Sequence, residues 1–263
     1  MTMNLCGEQS MAEGNTSEGF NAAADWRVRM SLAETANYLY KEPGAPGILL
    51  PLQATDGVIF PYTPTINVTY AATYDSVSPT HSNYKLHHYT NSSVDNFTIT
   101  AEFTAQDTFE ANYVLACIHF FKSMTKMFYG QDENPKLGTP PPLVFLYGMG
   151  AFQFNKHPLL VTNFAYALPK DVDYIRATTN EAAQAGGKAE LIGGQLEPGG
   201  TKPIATFADT GDQAITYVPT KLTMTVTCLP VVSRNDISNS FSLKDYASGK
   251  LLRGSQRQGG GLW

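Results

Sequence analysis

Charge is scarce in this 263-residue chain: Asp, Glu, Lys and Arg make up 16% of it and the formal balance is −5. Holding nucleic acid requires clustered Lys and Arg to neutralise phosphates, so direct nucleic-acid binding is not expected. Cysteine is scarce too. Cys6, Cys117 and Cys228 cannot all pair, and Cys117 falls in an apolar helical pattern and Cys228 in a strand pattern, where a free thiol behaves as a small hydrophobe. A reducing compartment fits best. No stretch reaches the ~20 apolar residues of a membrane helix, and "MTMNLCGEQSMAEGNTSEGF" has neither the basic start nor the apolar run of a signal peptide. Neither export by that route nor membrane insertion is expected. The Asn-x-Ser/Thr triplets at Asn15, Asn67, Asn91 and Asn96 then read as Thr-rich strands and turns rather than glycosylation sites.

Motifs that carry catalysis are missing as well. The five histidines, His81, His87, His88, His119 and His157, have no second His or Cys at metal-ligand spacing, and the adjacent His87 and His88 face opposite sides of a strand. Gly148 to Gly150, "GMG", lacks the third glycine and the helix start of a dinucleotide loop, and no Gly-rich run leads into a phosphate-loop Lys-Ser/Thr. No Gly-x-Ser-x-Gly elbow occurs, and the apolar setting of Cys117 disfavours its thiolate. Asp171 and Asp173 in "PKDVDYIRA" are the one carboxylate pair that a hydrolase reading can use, but Lys170 and Arg176 flank them and a structured corner is the simpler account. No catalytic, cofactor-binding or metal-ligating residue is assigned, and no enzyme is expected.

What is present is patterned apolar sequence, 43% of the chain. "DWRVRMSLA", Asp25 to Ala33, alternates Trp26, Val28, Met30 and Leu32 against polar neighbours, as a half-buried strand does. "TINVTYAATY", Thr65 to Tyr74, alternates likewise. Phe97 to Phe103 places Phe97, Ile99, Ala101 and Phe103 on one side, and Lys221 to Cys228 places Leu222, Met224, Val226 and Cys228 against Lys221, Thr223, Thr225 and Thr227. Between these strands the period changes once. Asp107 and Glu110 stand at the spacing of a capping box, and Gly130 suits a helix C-terminus, so the pattern predicts a helix over about 108–129. Its apolar residues, among them Phe109, Tyr113, Cys117, Phe120, Phe121, Met124 and Phe128, cover well over half its circumference. Such a helix is buried on more than one side, either in a large core of its own chain or between its sheet and a neighbouring subunit.

The organisation that follows is an arm at 1–24, a single domain at 25–252 and a tail at 253–263. The arm is polar and aperiodic. Residues 177–213 are small, polar and Gly-rich, a loop too long for an ordinary connection. Residues 75–95, rich in His, Tyr, Asn and Ser, read as a hairpin tip or an ordered surface loop. Short helical sequence runs from Ser242 to Tyr246, and the flexible Gly-rich tail ends in an apolar pair, Leu262 and Trp263, suited to docking in a partner's groove or else to a disordered end. The fold class is α+β, mainly β: an antiparallel β-barrel or sandwich with one long packed helix and long loops.

Several phrases together resemble one family. "DWRVRMSLA", "GVIFPYTPTI", "THSNY", "FTAQDTFEANYVLACIHFFKSMTKMFYG", "PPPLVFLYGMGAFQFNKHPLLVTNFAYALPKDVDYIRA" and "VPTKLTMTVTCLPVVSRNDIS" look like the baseplate and tail-tube-initiator proteins of contractile-tailed bacteriophages. The resemblance spans about 25–252 and is weakest in the 177–213 loop. It implies a tail-tube-like barrel, six copies of which join sheets into a ring between tail tube and baseplate hub, with DNA only as passing cargo. It places the chain in the virion, made in the bacterial host cytoplasm, beside tube, hub and wedge proteins. On this reading Phe109, Tyr113, Phe120, Phe121, Met124, Phe128, Leu262 and Trp263 are the interface candidates. Other tail or neck roles, a tube terminator or a baseplate wedge, stay open, as does a β-rich glycan-binding module using Tyr84 to Tyr89.

Overall fold

A computed structural model describes residues 26–42, 47–132, 136–150, 152–178, 215–253, 261 and 263. The strands are β1 (Arg29–Leu32), β2 (Val58–Ile59), β3 (Thr65–Asn67), β4 (Tyr70–Val77), β5 (Leu86–Val94), β6 (Phe97–Thr104), β7 (Val144–Gly148), β8 (Phe154–Ala167), β9 (Tyr174–Thr178), β10 (Ile215–Pro219) and β11 (Lys221–Pro230). Helix α1 spans Pro51–Thr55, α2 Thr108–Ser123, α3 Arg234–Ser240 and α4 Leu243–Ala247. Seven strands form one antiparallel sheet in the order β2-β1-β7-β8-β11-β6-β3, while β4–β5 and β9–β10 are separate pairs. The chain is mainly β with α2 as its long helix, as expected. Among the described residues the large sheet stays open, with β2 at one end and β3 at the other.

Alternation in sequence becomes a single buried face. Phe97, Ile99, Ala101 and Phe103 of β6 lie beside Leu222, Met224, Val226 and Cys228 of β11, and Leu146 and Leu159 continue the layer. The opposite face carries Thr98, Thr100, Thr104, Thr223, Thr225 and Thr227, with one exposed ion pair between Lys221 and Glu102 at 3.1 Å. β8 is too long to keep one phase. Thr227 pairs with Asn163 but Cys228 with Val161, so Thr162 is an extra residue whose hydroxyl donates to the Thr227 carbonyl at 3.1 Å. The bulge switches the inward set from His157, Leu159 and Val161 to Phe164 and Tyr166. Phe164 then stacks on Phe121 of α2 at 5.2 Å between centroids.

β1 departs from simple alternation: all four of its residues are buried, Arg29 and Ser31 included. A polar clamp on the outer side accounts for this. Asp56 takes Arg29 at 3.4 Å and Lys41 at 3.0 Å, and the Arg29 guanidinium lies 4.8 Å from the Tyr147 ring centroid. Tyr40 receives the Leu32 amide on its hydroxyl at 2.9 Å, and burial raises its pKa well above that of an ordinary phenol. Asp56 and Gly57 end α1 with positive φ, and Gly57 crosses β1 so closely that a Cβ there would stand 2.4 Å from the Met30 carbonyl oxygen.

Helix α2 begins as its sequence demands. Asp107 accepts the Glu110 amide on its side chain at 2.9 Å, and the Glu110 carboxylate takes the Gln106 amide at 2.7 Å. Its end is earlier than the expected position near Gly130. Ser123 donates its hydroxyl to the His119 carbonyl and Thr125 to that of Lys122, drawing off acceptors that a continuing helix would use. Lys122, rather than Lys126, stands in the last turn. Beyond it, Phe128 pairs through its backbone with Gly138 and Thr139.

The near-complete apolar girth of α2 is covered within the chain. Sheet strands β6 and β8 lie on one side, the turn Gly47–Leu49 and α1 on another, and the β9–β10 pair on a third. Five consecutive residues, Val114 to Ile118, are buried. The β9–β10 pair joins the two ends of the long loop, pairing Tyr174 with Pro219 and Thr178 with Ile215, and sets Ala177 and Val218 into the core. Most of the loop expected at 177–213, and the arm at 1–24, lie outside the described residues.

Candidate assembly surface

The expected strand over Thr65 to Tyr74 is two strands. β3 pairs with β6 for only three residues, Thr65 to Asn67 against Thr100 to Thr98, and the chain then leaves the sheet at Val68 and Thr69. From Tyr70 it runs outward as β4, turns through residues 78–85 and returns as β5. Pro79 to Ser82 form the turn, the Ser82 amide donating to the Pro79 carbonyl and His81 taking φ 59°. In β4 every residue except Ala71 is exposed, and in β5 every residue except Val94. An isolated two-stranded hairpin is marginally stable at best in water, so few sequences leave one this long unsupported.

Local contacts hold its shape. Thr73 faces Asn91 but Tyr74 faces Tyr89, leaving Thr90 as a bulged residue whose hydroxyl donates to Asp75 at 3.0 Å. Tyr74 and Tyr89 meet edge to face at 5.7 Å, and the Tyr89 hydroxyl donates to Ser92 at 2.8 Å. The result is a projecting blade with Tyr70, Tyr74, Val77, Leu86 and Tyr89 on display, and Tyr84 81% exposed near its tip. Isolated exposed apolar side chains are ordinary, but here Tyr70, Tyr74 and Tyr89 share one face of the pair and Val77 and Leu86 the other, on a blade that touches little of its own fold, which makes it the candidate interaction surface.

The interface candidates on α2 fare differently. Phe120, Phe121 and Met124 are fully buried in the chain's own core and are not available to a partner. Tyr113 gives its hydroxyl to the Ile59 carbonyl at 2.9 Å and receives the Ile59 amide at 2.7 Å, so it caps β2 where a further strand would pair. Phe128 sits edge-on to Tyr38 at 5.4 Å. Trp263, expected in a partner's groove and on a flexible tail, is 8% exposed and docked in its own chain, because aromatic rings at the start of β8 and β6 offer it a nearer seat. Leu262 lies outside the described residues. Phe109 alone faces solvent, 59% exposed, where it borders an open groove with Pro61, Tyr62, Thr104 and Glu110.

No catalytic constellation assembles from these residues. Asp171 and Asp173 sit on an exposed corner between β8 and β9, where the Asp173 carbonyl receives the Thr220 amide at 2.8 Å. Among the described residues no group of three His, Cys, Asp or Glu side chains is placed to hold a metal. Burial pushes the Cys228 thiol up to about 12 and the Cys117 thiol up as well, both far from nucleophilic character at neutral pH. His119 is lowered by burial and by the nearby Lys122 charge. Among the described residues no helix is long and apolar enough to cross a membrane.

No protein-family model matches the chain, and no curated protein matches it. Sequence reasoning had placed the tip region at the surface but had joined β3 and β4. The missed signal is compositional: alternation continues past Val68, yet Tyr, Thr, Ser, Asn and His replace aliphatic residues on both faces.

Proposed function

We propose that this chain is a structural subunit of a contractile bacteriophage tail, forming a ring, six copies to the turn, where the tail tube meets the baseplate hub. The observation that carries the reading is the β4–β5 blade, exposed along both faces and both strands, in a chain whose sequence phrases resemble tube-initiator and baseplate proteins. Its function is assembly. The blade of one copy lies against its neighbour and covers Tyr70, Tyr74 and Tyr89, while the sheet end at β3 supplies a further edge for joining sheets. An obligate contact of this kind buries upwards of ~2,000 Å².

The Thr-rich face of β6 and β11 suits a hydrated channel wall. Its hydroxyls bind water, its one ion pair is internally neutral, and the chain's net negative charge repels passing DNA rather than trapping it. In this role the chain gives the first tube subunits a template and holds the hub's orientation during sheath contraction.

The test replaces residues 74–90 by Asn-Gly, joining Thr73 to Asn91, which already face one another. The expected result is a chain that melts like its parent but no longer enters rings when tails are assembled and imaged by cryo-electron microscopy. The parent is expected as a sixfold ring around the central channel, with the blade at a subunit boundary. Density at the tail periphery, or rings unaffected by loss of the blade, overturns the proposal. Parent density on a fibre, with the blade's Tyr84 to Tyr89 bound to glycan, is the outcome that favours the glycan-binding reading.

A further inference from the structure

Trp263 occupies a pocket built by other parts of the chain. Its ring lies 5.1 Å from Phe97, 6.1 Å from Phe154 and 4.6 Å from His157, and its indole N–H donates to the Pro158 carbonyl at 3.1 Å. Two residues earlier, the Gly261 amide donates to the Asn155 carbonyl at 2.8 Å. A Cβ at Gly261 would stand 2.4 Å from a His157 ring carbon and 2.7 Å from the Leu252 carbonyl oxygen, so only glycine passes here. The His157 ring is itself fixed, since Nδ1 accepts the Asn155 amide at 3.0 Å and its other edge faces Gly261.

The walls of this pocket are anchored by backbone pairing that does not involve the occupant. Phe97 is held by pairing with Cys228, Phe154 with Gly148, His157 with Leu146 and Pro158 with Phe145, all within the large sheet. A preformed seat of this kind recognises its ligand without first paying to order itself. Among the described residues its occupants are Gly261 and Trp263.

We propose that this pocket is a peptide-binding site for a Gly-x-Trp segment, filled here by the chain's own residues and open to the same segment of a second copy. The proposal is independent of the ring reading. Gly261 lies against Leu252, and the seven residues between Arg253 and Gly261 can span at most roughly 25 Å, enough to cross to an adjacent copy. Exchange between own and neighbouring segment is then governed by local concentration alone.

The experiment uses the chain's two tryptophans. Trp26→Phe removes the exposed one and leaves Trp263 as sole reporter. In that full chain, Trp263 emission is expected to be blue-shifted and shielded from acrylamide, and Gly261→Ala is expected to red-shift it while far-ultraviolet circular dichroism is unchanged. A chain ending at Arg253, with Trp26→Phe, is then titrated with the amidated peptide of residues 254–263. Saturable binding with a blue shift is expected, at least about ten-fold weaker for the Gly261→Ala peptide. A folded truncated chain that binds neither peptide, or both equally, overturns the proposal. Should truncation unfold the chain, the full-length protein decides: with peptide carrying 5-fluorotryptophan at about 1 mM, near the local concentration of a tethered segment, a separate bound fluorine resonance supports exchange and its absence overturns it.

Discussion

Phe121→Ala and Phe109→Ala, two substitutions on one helix, separate a helix buried in its own chain from one completed by a partner. Phe121 is fully buried, with Phe120 at 5.5 Å, Phe164 at 5.2 Å and Phe60 at 6.4 Å between ring centroids. Truncating such a side chain removes its transfer energy and leaves a cavity that the surrounding sheet and β9–β10 pair cannot fill, a cost of about 3–5 kcal/mol. That is a large share of the ~5–15 kcal/mol that holds a domain together. At about 2–4 °C per kcal/mol for a chain of this size, the melting temperature is expected to fall by roughly 6–20 °C. Phe109 is 59% exposed, and its truncation is expected to stay within about 0.5 kcal/mol of the parent. Urea denaturation of the isolated chain, followed by circular dichroism, measures both through the midpoint, with the slope unchanged. If Phe121→Ala costs under about 1 kcal/mol, or Phe109→Ala costs the more of the two, the packing described for α2 is wrong.

Other expectations follow from single contacts. Asp107→Ala removes the side-chain acceptor of the Glu110 amide and is expected to cost about 0.5–2 kcal/mol in the same assay, with Asp107→Asn largely restoring it. Gly57→Ala meets backbone at 2.4 Å in a positive-φ conformation and is expected to lower stability by more than about 2 kcal/mol, whereas Gly138→Ala, with open space around it, is expected to cost only about 1 kcal/mol for its φ. Glu34 is held below its ordinary pKa by hydrogen bonding and charge from Lys156, so its small contribution is present above the ordinary glutamate range and is lost as pH falls through the depressed value. Glu34 is largely exposed, so the pair is worth at most about 1 kcal/mol, and parent and Glu34→Gln midpoints are expected to differ slightly at pH 7 and to converge in acid as Glu34 takes up its proton. Cys117 and Cys228, buried with raised thiol pKa values, are expected to resist a thiol-specific reagent in the native state and to react once urea unfolds the chain, as read by site-resolved mass spectrometry.

Local pattern determined more of this protein than any single motif. The strict alternation of β6 and β11, the capping box at Asp107 and Glu110 and the short helix after Ser242 were legible because each depends on neighbours within a few residues. Helix α3 carried the same kind of signal and was missed: Ser233 accepts the Asp236 amide at 3.1 Å, a spacing already present in "SRND". Sequence also showed that α2 is enclosed on more than one side, because apolar residues over well more than half of a helix cannot all lie against a single surface.

What enclosed it was decided only by tertiary structure. The covering β9–β10 pair brings together residues separated by the long loop, and the α1 segment arrives from the other end of the chain, so neither leaves a periodic trace near α2. The same holds where β3 stops and β4 projects, since a period of two is identical in a strand buried on a sheet and in one standing clear of it. Trp263 was read as unclaimed for the same reason: its seat is made by Phe97, Phe154 and His157, residues more than a hundred positions away along the chain. Periodicity fixes which side of an element avoids water; only long-range packing fixes what that side meets.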